Sequence, residues 1–351
     1  MSYAQPPYNP QQQPFAPPPQ QKSKTLLIVL GLIGGFFLLT VLMCCGGVIW
    51  FSRFPSVPAT ASLPFDNSSV AIPAFAPPKQ QLDWPGMPAG YQCEELVLGD
   101  GTGYGSPGKN GRLWIYKPAD SAGQKLPCVL IGPAGSTLME GMGLAEGDVD
   151  EHLPYLHEGF VVIAFSIDGP SVDYGESQSA QQRAYQQFKS ANAGLINARN
   201  ALEYALHQVP EVDPNQIFIA GHSSAGTLAL LFAEHEPRLA GCVAFAPCID
   251  LQKRIPGTFV RMLENIMPGL AEFIVQSSPR THESQLQCPM MLFHAADDSN
   301  VPVQQSRDFA ERMQAAGKEI TYIEVPTGEH YMSMIDEGIP KGIDWMKQQI
   351  H

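Results

Sequence analysis

Past residue 90 the chain alternates short apolar runs with longer amphipathic ones. Residues 127–131 and 159–165 are unbroken apolar runs, as in parallel strands buried on both faces. Residues 242–246, 290–293 and 320–325 predict further strands, and residues 111–117 alternate like an exposed one. Residues 180–209 read as one long amphipathic helix, with Leu195, Ile196, Ala198, Leu202, Ala205 and Leu206 on one side. Helices are also expected at about 303–316 and 338–349. Strands and helices in turn predict an α/β fold, a mostly parallel central sheet with helices on both faces. Residues 250–285 interrupt the rhythm and are read as a cap over a site.

The first 90 residues follow other rules. Residues 1–24 form a Pro/Gln-rich tail expected to be disordered. Its PxxP spacings, Pro7 to Pro10 and Pro14 to Pro17, offer a cytoplasmic partner a polyproline segment. Residues 25–51 carry no charge and no polar face. That is longer than the roughly 20 residues needed to cross a bilayer, and longer than a signal-peptide core of about 7–15. The segment is therefore read as a transmembrane helix. Lys22 and Lys24 before it, against Arg53 after it, place the tail in the cytoplasm and the C-terminal domain outside. Gly31 and Gly35 give it a GxxxG pair suited to helix–helix contact. Residues 52–90, rich in proline, are expected to act as a semi-stiff linker, and residues 91–351 to form the catalytic domain.

Composition narrows the function classes. Formal net charge is −13, and residues 1–90 hold four basic and two acidic side chains, so the negative charge lies in the domain. An acidic domain without a basic stripe argues against nucleic-acid binding. No cysteine shows metal-ligand spacing, so no metal site is expected. An extracytoplasmic location would permit one disulfide, such as Cys242–Cys248. Gly103 to Gly108 matches GxGxxG but precedes a strand and contains a proline, so no dinucleotide cofactor is expected.

The chemistry concentrates in three places. Residues 216–233 read as strand, sharp turn and helix around Gly221-His222-Ser223-Ser224-Ala225-Gly226. A turn of this kind lifts a serine oxygen clear of a sheet and demands small neighbours, which makes Ser223 the candidate nucleophile. Ala225 replaces the usual second glycine. A frame with Ser224 as nucleophile, and a helix N-cap role for the serine, are the alternatives. A serine needs a base, a group to orient that base, and donors for the oxyanion. Asp298, with Asp297 as rival, sits just past a buried strand, and His330 lies in a loop after the next one. The order Ser, Asp, His is the one this strand–turn–helix device uses. The N–H of Ser224 is the first expected oxyanion donor. Pro133 has no N–H, so Ala134 or Gly135 is expected to give the second.

These segments resemble the catalytic domain of the prolyl oligopeptidase and dipeptidyl peptidase family, over roughly residues 110–351. The likeness rests on residues 212–226, 294–306 and 326–330. It implies an α/β-hydrolase fold and a serine-type peptidase acting through an acyl-enzyme, without a cofactor, on a peptide or other small-molecule substrate. It also favours Asp298 as the acid, because the family's acid stands three residues before the valine that is Val301 here. The family's peptidases usually carry a β-propeller, whereas a tail, a membrane segment and a linker stand here. Gly132-Pro133-Ala134 also replaces a common His-Gly-Gly. An esterase or dienelactone-hydrolase-like enzyme is therefore the alternative, and an inactive hydrolase-fold binding module the reading from another class.

Overall fold

The computed structural model describes residues 71–350, apart from 79, 99–110, 122 and 171–176. The expected tail, transmembrane helix and GxGxxG run all fall outside these residues, as do the linker's residues 52–70. Among the described residues no helix is long and apolar enough to cross a membrane.

Among the described residues nine strands form one sheet: β1 (Gln80–Leu82), β2 (Tyr91–Val97), β3 (Arg112–Pro118), β4 (Leu126–Ile131), β5 (Val161–Phe165), β6 (Val212–His222), β7 (Gly241–Phe245), β8 (Met290–Ala295) and β9 (Ile320–Val325). The spatial order is β1-β2-β3-β5-β4-β6-β7-β8-β9. The pairs β1–β2, β2–β3 and β3–β5 are antiparallel, and every pair from β5 to β9 is parallel. The helices are α1 (Val149–His157), α2 (Gln178–Ser190), α3 (Leu195–Gln208), α4 (Ser223–His235), α5 (Leu251–Arg254), α6 (Gly257–Leu263), α7 (Leu270–Gln276), α8 (Pro279–His282), α9 (Gln304–Ala315) and α10 (Ile339–Gln349).

The apolar runs are explained by burial on two sides. Cys128, Leu130, Ile217, Ile219, Cys242, Ala244, Met290 and Leu292 face a core built with α2, α3, α4 and α9. Their neighbours Val129, Ile131, Phe218, Ala220, Val243, Phe245, Met291 and Phe293 face a second core with α1 and α10. A strand buried on both faces has no polar side to show, so its period of two is invisible in the sequence.

Two expectations are corrected. The single helix over residues 180–209 is two helices, because Asn192, Ala193 and Gly194 take positive φ of 51°, 54° and 92° between α2 and α3. A Cβ on Gly194 would stand 2.9 Å from Leu228 and 3.1 Å from Ile167, so the chain turns where it presses against α4. The linker is also shorter than residues 52–90. Residues 80–82 pair with β2, Trp84 lies against Trp114 with ring centres 5.0 Å apart, and Phe75 meets Tyr204 edge-on at 5.2 Å. Residues 250–285, expected as a cap, fold into the four short helices α5 to α8. All five cysteines of the domain are buried and free, so the Cys242–Cys248 disulfide is not formed.

One buried group works against the fold. Glu234 of α4 is buried, and neither carboxyl oxygen has a hydrogen-bond partner. Burial first, and then the charge of Glu283, push its carboxyl well above the ordinary value of 4.5. The native state thus binds a proton that the unfolded chain releases above pH 4.5, and stability falls as pH rises from there. Glu234→Met should raise stability at pH 8 by about 1–3 kcal/mol, the usual cost of an unpartnered buried group. Urea denaturation at pH 5 and pH 8 tests this: the gain should be larger at pH 8, and equal gains would contradict the account.

Candidate active site

The turn between β6 and α4 is set by what the backbone leaves no room for. The two elements join without a loop, and Ser223 is held at φ 53°. A non-glycine residue there costs on the order of 1–3 kcal/mol and persists only where its surroundings fix it. Here β6 is paired to its last residue, with Gly221 opposite Ala244 and His222 opposite Phe245. A Cβ on Gly221 would lie 2.4 Å from the carbonyl oxygen of Ala225. A Cβ on Gly226 would lie 2.9 Å from the Gly221 oxygen and 3.1 Å from that of Phe245. The close helix–strand approach thus falls at Gly226, one place later than the usual motif, and Ala225 is accommodated with its methyl buried. Thr227 ties the first helical turn to the loop after β7. Its hydroxyl lies within donating distance of the carbonyls of Ser223 (3.1 Å) and Cys248 (2.9 Å) and accepts the Cys248 N–H.

The loop after β8 carries both aspartates, and they part company. Asp298 has no exposed side-chain surface. Its Oδ2 accepts from His330 Nδ1 at 2.7 Å and from His294 Nε2 at 3.1 Å. Its Oδ1 accepts the N–H groups of Asn300 (2.8 Å) and Val301 (2.9 Å). Burial alone would raise this carboxyl, but the hydrogen bonds from His294, His330 and Val301 outweigh it and hold the group well below the ordinary carboxylate range. Asp297 instead accepts the N–H groups of Gly328 (3.2 Å) and Glu329 (2.9 Å). Glu329, at φ 56°, returns a brace: its Oε2 accepts the N–H (3.2 Å) and hydroxyl (2.8 Å) of Ser299. The acid loop and the histidine loop are thus laced together on both sides of His330.

His330 is therefore oriented through Nδ1, and its Nε2 is buried without a partner. His222, the residue before Ser223, lies over it with ring centres 4.5 Å apart. Its Nε2 donates to the His330 carbonyl at 2.8 Å. Burial, with His330 alongside, pushes His222 down to about 4, so at neutral pH it is an uncharged donor. The sequence placed His222 in the turn beside Ser223 but gave no sign of this bond.

The loop after β4 meets the same turn. The N–H groups of Gly135 (3.1 Å) and Ser136 (3.0 Å) both donate to Ser224 Oγ. The hydroxyl of Ser224 is thus engaged by this loop, while Ser223 occupies the strained turn. The Gly135 N–H is spent, and among the described residues that of Ala134 has no acceptor. The N–H of Ser224, in the first turn of α4, lacks an intrahelical acceptor. Ser224 also lines a small cavity together with Leu138, Ile167, Phe188, Leu228 and Leu251. The segment of residues 250–285 begins beside this site, where Arg254 donates to the carbonyl and side chain of Asn300. Among the described residues no group of three or more His, Cys, Asp or Glu is arranged to hold a metal ion.

Known proteins can be set beside this geometry. The prolyl oligopeptidase family pattern matches residues 148–350. A probable carboxylic ester hydrolase of Mycobacterium tuberculosis, LipM, is 28% identical over 165 residues, covering 40% of this chain and 38% of its own. The acylaminoacyl peptidase of Pyrococcus horikoshii superposes with a TM-score of 0.54 at 18% identity, over 74% of this chain and 40% of its own. Acetyl xylan esterase 1 of Thermoanaerobacterium gives 0.54 at 14% identity, over 79% of this chain and 89% of its own. At those identities the two structures establish the α/β-hydrolase-like fold. The chain spans about two fifths of the length of LipM and of the acylaminoacyl peptidase.

The turn makes opposite demands at neighbouring positions. Ser223→Gly should stabilise the domain by about 1 kcal/mol by relieving the positive φ, less the flexibility glycine adds to the unfolded chain. Gly221→Ala should destabilise it by about 2 kcal/mol or more through overpacking. Thermal melting of both variants checks the pair, and a stabilising Gly221→Ala would contradict the geometry.

Proposed function

We infer the function from one premise: the chain belongs to the prolyl oligopeptidase family. We read it as a serine hydrolase in which Ser223, His330 and Asp298 act as the nucleophile, base and orienting acid. The observation that carries this is the Asp298–His330 hydrogen bond of 2.7 Å, with the other imidazole nitrogen buried and unpartnered and Ser223 held in the strained turn.

In this reading Ser223 Oγ attacks the substrate carbonyl as His330 Nε2 takes its proton. Asp298 fixes the tautomer and stabilises the imidazolium. The N–H groups of Ser224 and Ala134 receive the oxyanion, Gly135 being engaged elsewhere. Collapse of the tetrahedral intermediate passes the proton to the leaving group and leaves an acyl-enzyme. Water, deprotonated by His330, then hydrolyses it and restores the serine.

Peptide bonds are the first substrate class, on the family. Carboxylic esters are the second, favoured by the sequence relation to LipM, a probable carboxylic ester hydrolase. In both, the catalytic domain takes in the strand at residues 80–82 as well as residues 91–351, and residues 25–51, uncharged throughout, anchor it as a single-pass membrane protein. The cytoplasmic tail and the extracytoplasmic domain follow from the lysines before that segment.

A fluorophosphonate probe tests the central part. Peptide mapping should find the adduct on Ser223, absent from Ser223→Ala. An adduct on Ser224, or none on folded protein, would overturn the assignment. Parallel turnover of p-nitrophenyl esters and short peptides then separates the two substrate classes. After alkaline carbonate extraction the full chain should stay in the membrane pellet; its release into the supernatant would contradict the anchor.

A further inference from the structure

The acid has two imidazoles on one oxygen. His294, on β8, is fully buried, and its Nε2 lies 3.1 Å from Asp298 Oδ2 and 3.0 Å from the carbonyl of Val301. Both neighbours are acceptors, one a carboxylate held ionised, so Nε2 carries a hydrogen. On the other side Nδ1 lies 2.7 Å from the hydroxyl of Ser306 in α9, which is also fully buried. The Ser306 hydroxyl thus holds the ring at Nδ1, from the side opposite the carboxylate.

We infer that His294, locked by Ser306, is a positioning residue for the proposed acid. It donates to the same oxygen that takes His330 Nδ1–H, so it fixes the plane of the carboxylate and withdraws part of the negative charge available to His330. This rests on the hydrolase reading above. The arrangement resembles the outer-layer hydrogen bonds that orient metal-binding histidines, whose loss typically costs about 10–100-fold. It differs in that the oriented group is the carboxylate itself.

Other charged groups share this environment. His222 covers His330 from the end of β6. Glu324 of β9 stands opposite His294 in the sheet and is paired to Arg307 of α9. Asp297 and Glu329 lace the two loops together, and Tyr331 follows His330 with its ring 5.7 Å from that of His222. None of these donates to Asp298 Oδ2 as His294 does. Removing the His294 donor leaves more negative charge on the carboxylate oxygen that His330 Nδ1 faces.

The test is the pH dependence of fluorophosphonate labelling of Ser223 in the full chain, with kcat and KM on a p-nitrophenyl ester. His294→Leu should lower the plateau labelling rate and kcat by about 10–100-fold, with KM within about 2-fold. Its acid limb should move up by about half a pH unit or more. His294→Gln, whose amide nitrogen can stand where Nε2 stood, should recover most of the rate and the limb. Ser306→Ala should shift the limb in the same direction by less.

A folded His294→Leu with the wild-type limb and plateau overturns the inference, even if it melts earlier. If His294→Leu does not fold, an unmoved limb in Ser306→Ala overturns it equally. Wild-type protein that takes no label at Ser223 overturns the hydrolase reading and this inference together. Labelled wild type with unmoved variants overturns this inference alone.

Discussion

The site depends on a buried carboxylate. Taking a charge out of water costs several kcal/mol unless the protein returns its hydrogen bonds. Asp298 has no exposed side-chain surface and receives donors on both oxygens. They come from β8, from its own loop and from the loop after β9. Each donor is therefore also a constraint: the acid loop must curl so that Asn300 and Val301 point inward, and His330 must present Nδ1. The nitrogen left over, Nε2, is then directed by the same geometry.

A second constraint meets the first at the same edge of the sheet. β6, β8 and β9 run parallel, so their C-terminal loops gather where catalytic groups collect in open α/β sheets. At the end of β6 the backbone is crowded at Gly221 and Gly226, and Ser223 between them holds a positive φ. His222 bridges the two constraints, since it precedes the strained residue and donates to the His330 carbonyl. Strain on one loop and a buried charge on another are tied by one neutral imidazole.

Much of this was legible in the sequence because its signals are local. Small residues around Ser223, an aspartate just past an apolar run and a histidine past the next have fixed spacings, and the structure brings Asp298 and His330 into contact. The choice between Asp297 and Asp298 needed the spacing to Val301, and in the structure Val301 donates to Asp298. What escaped was set by contacts between distant segments. The capture of the Gly135 N–H by Ser224 Oγ, and the tethers made by His222 and His294, leave no periodic trace. The break at Asn192–Gly194 escaped because the apolar residues of α3 keep helical spacing just past it. The strand at residues 80–82 is too short to read amid its prolines.

The account's central claim is that Asp298 acts through His330, and a mutant cycle measures that directly. It compares kcat/KM for His330→Ala, Asp298→Asn and the double variant. If Asp298 acts only through His330, the double variant should be about as slow as His330→Ala alone. Losses that multiply would mean that the two residues act independently, and would contradict the account.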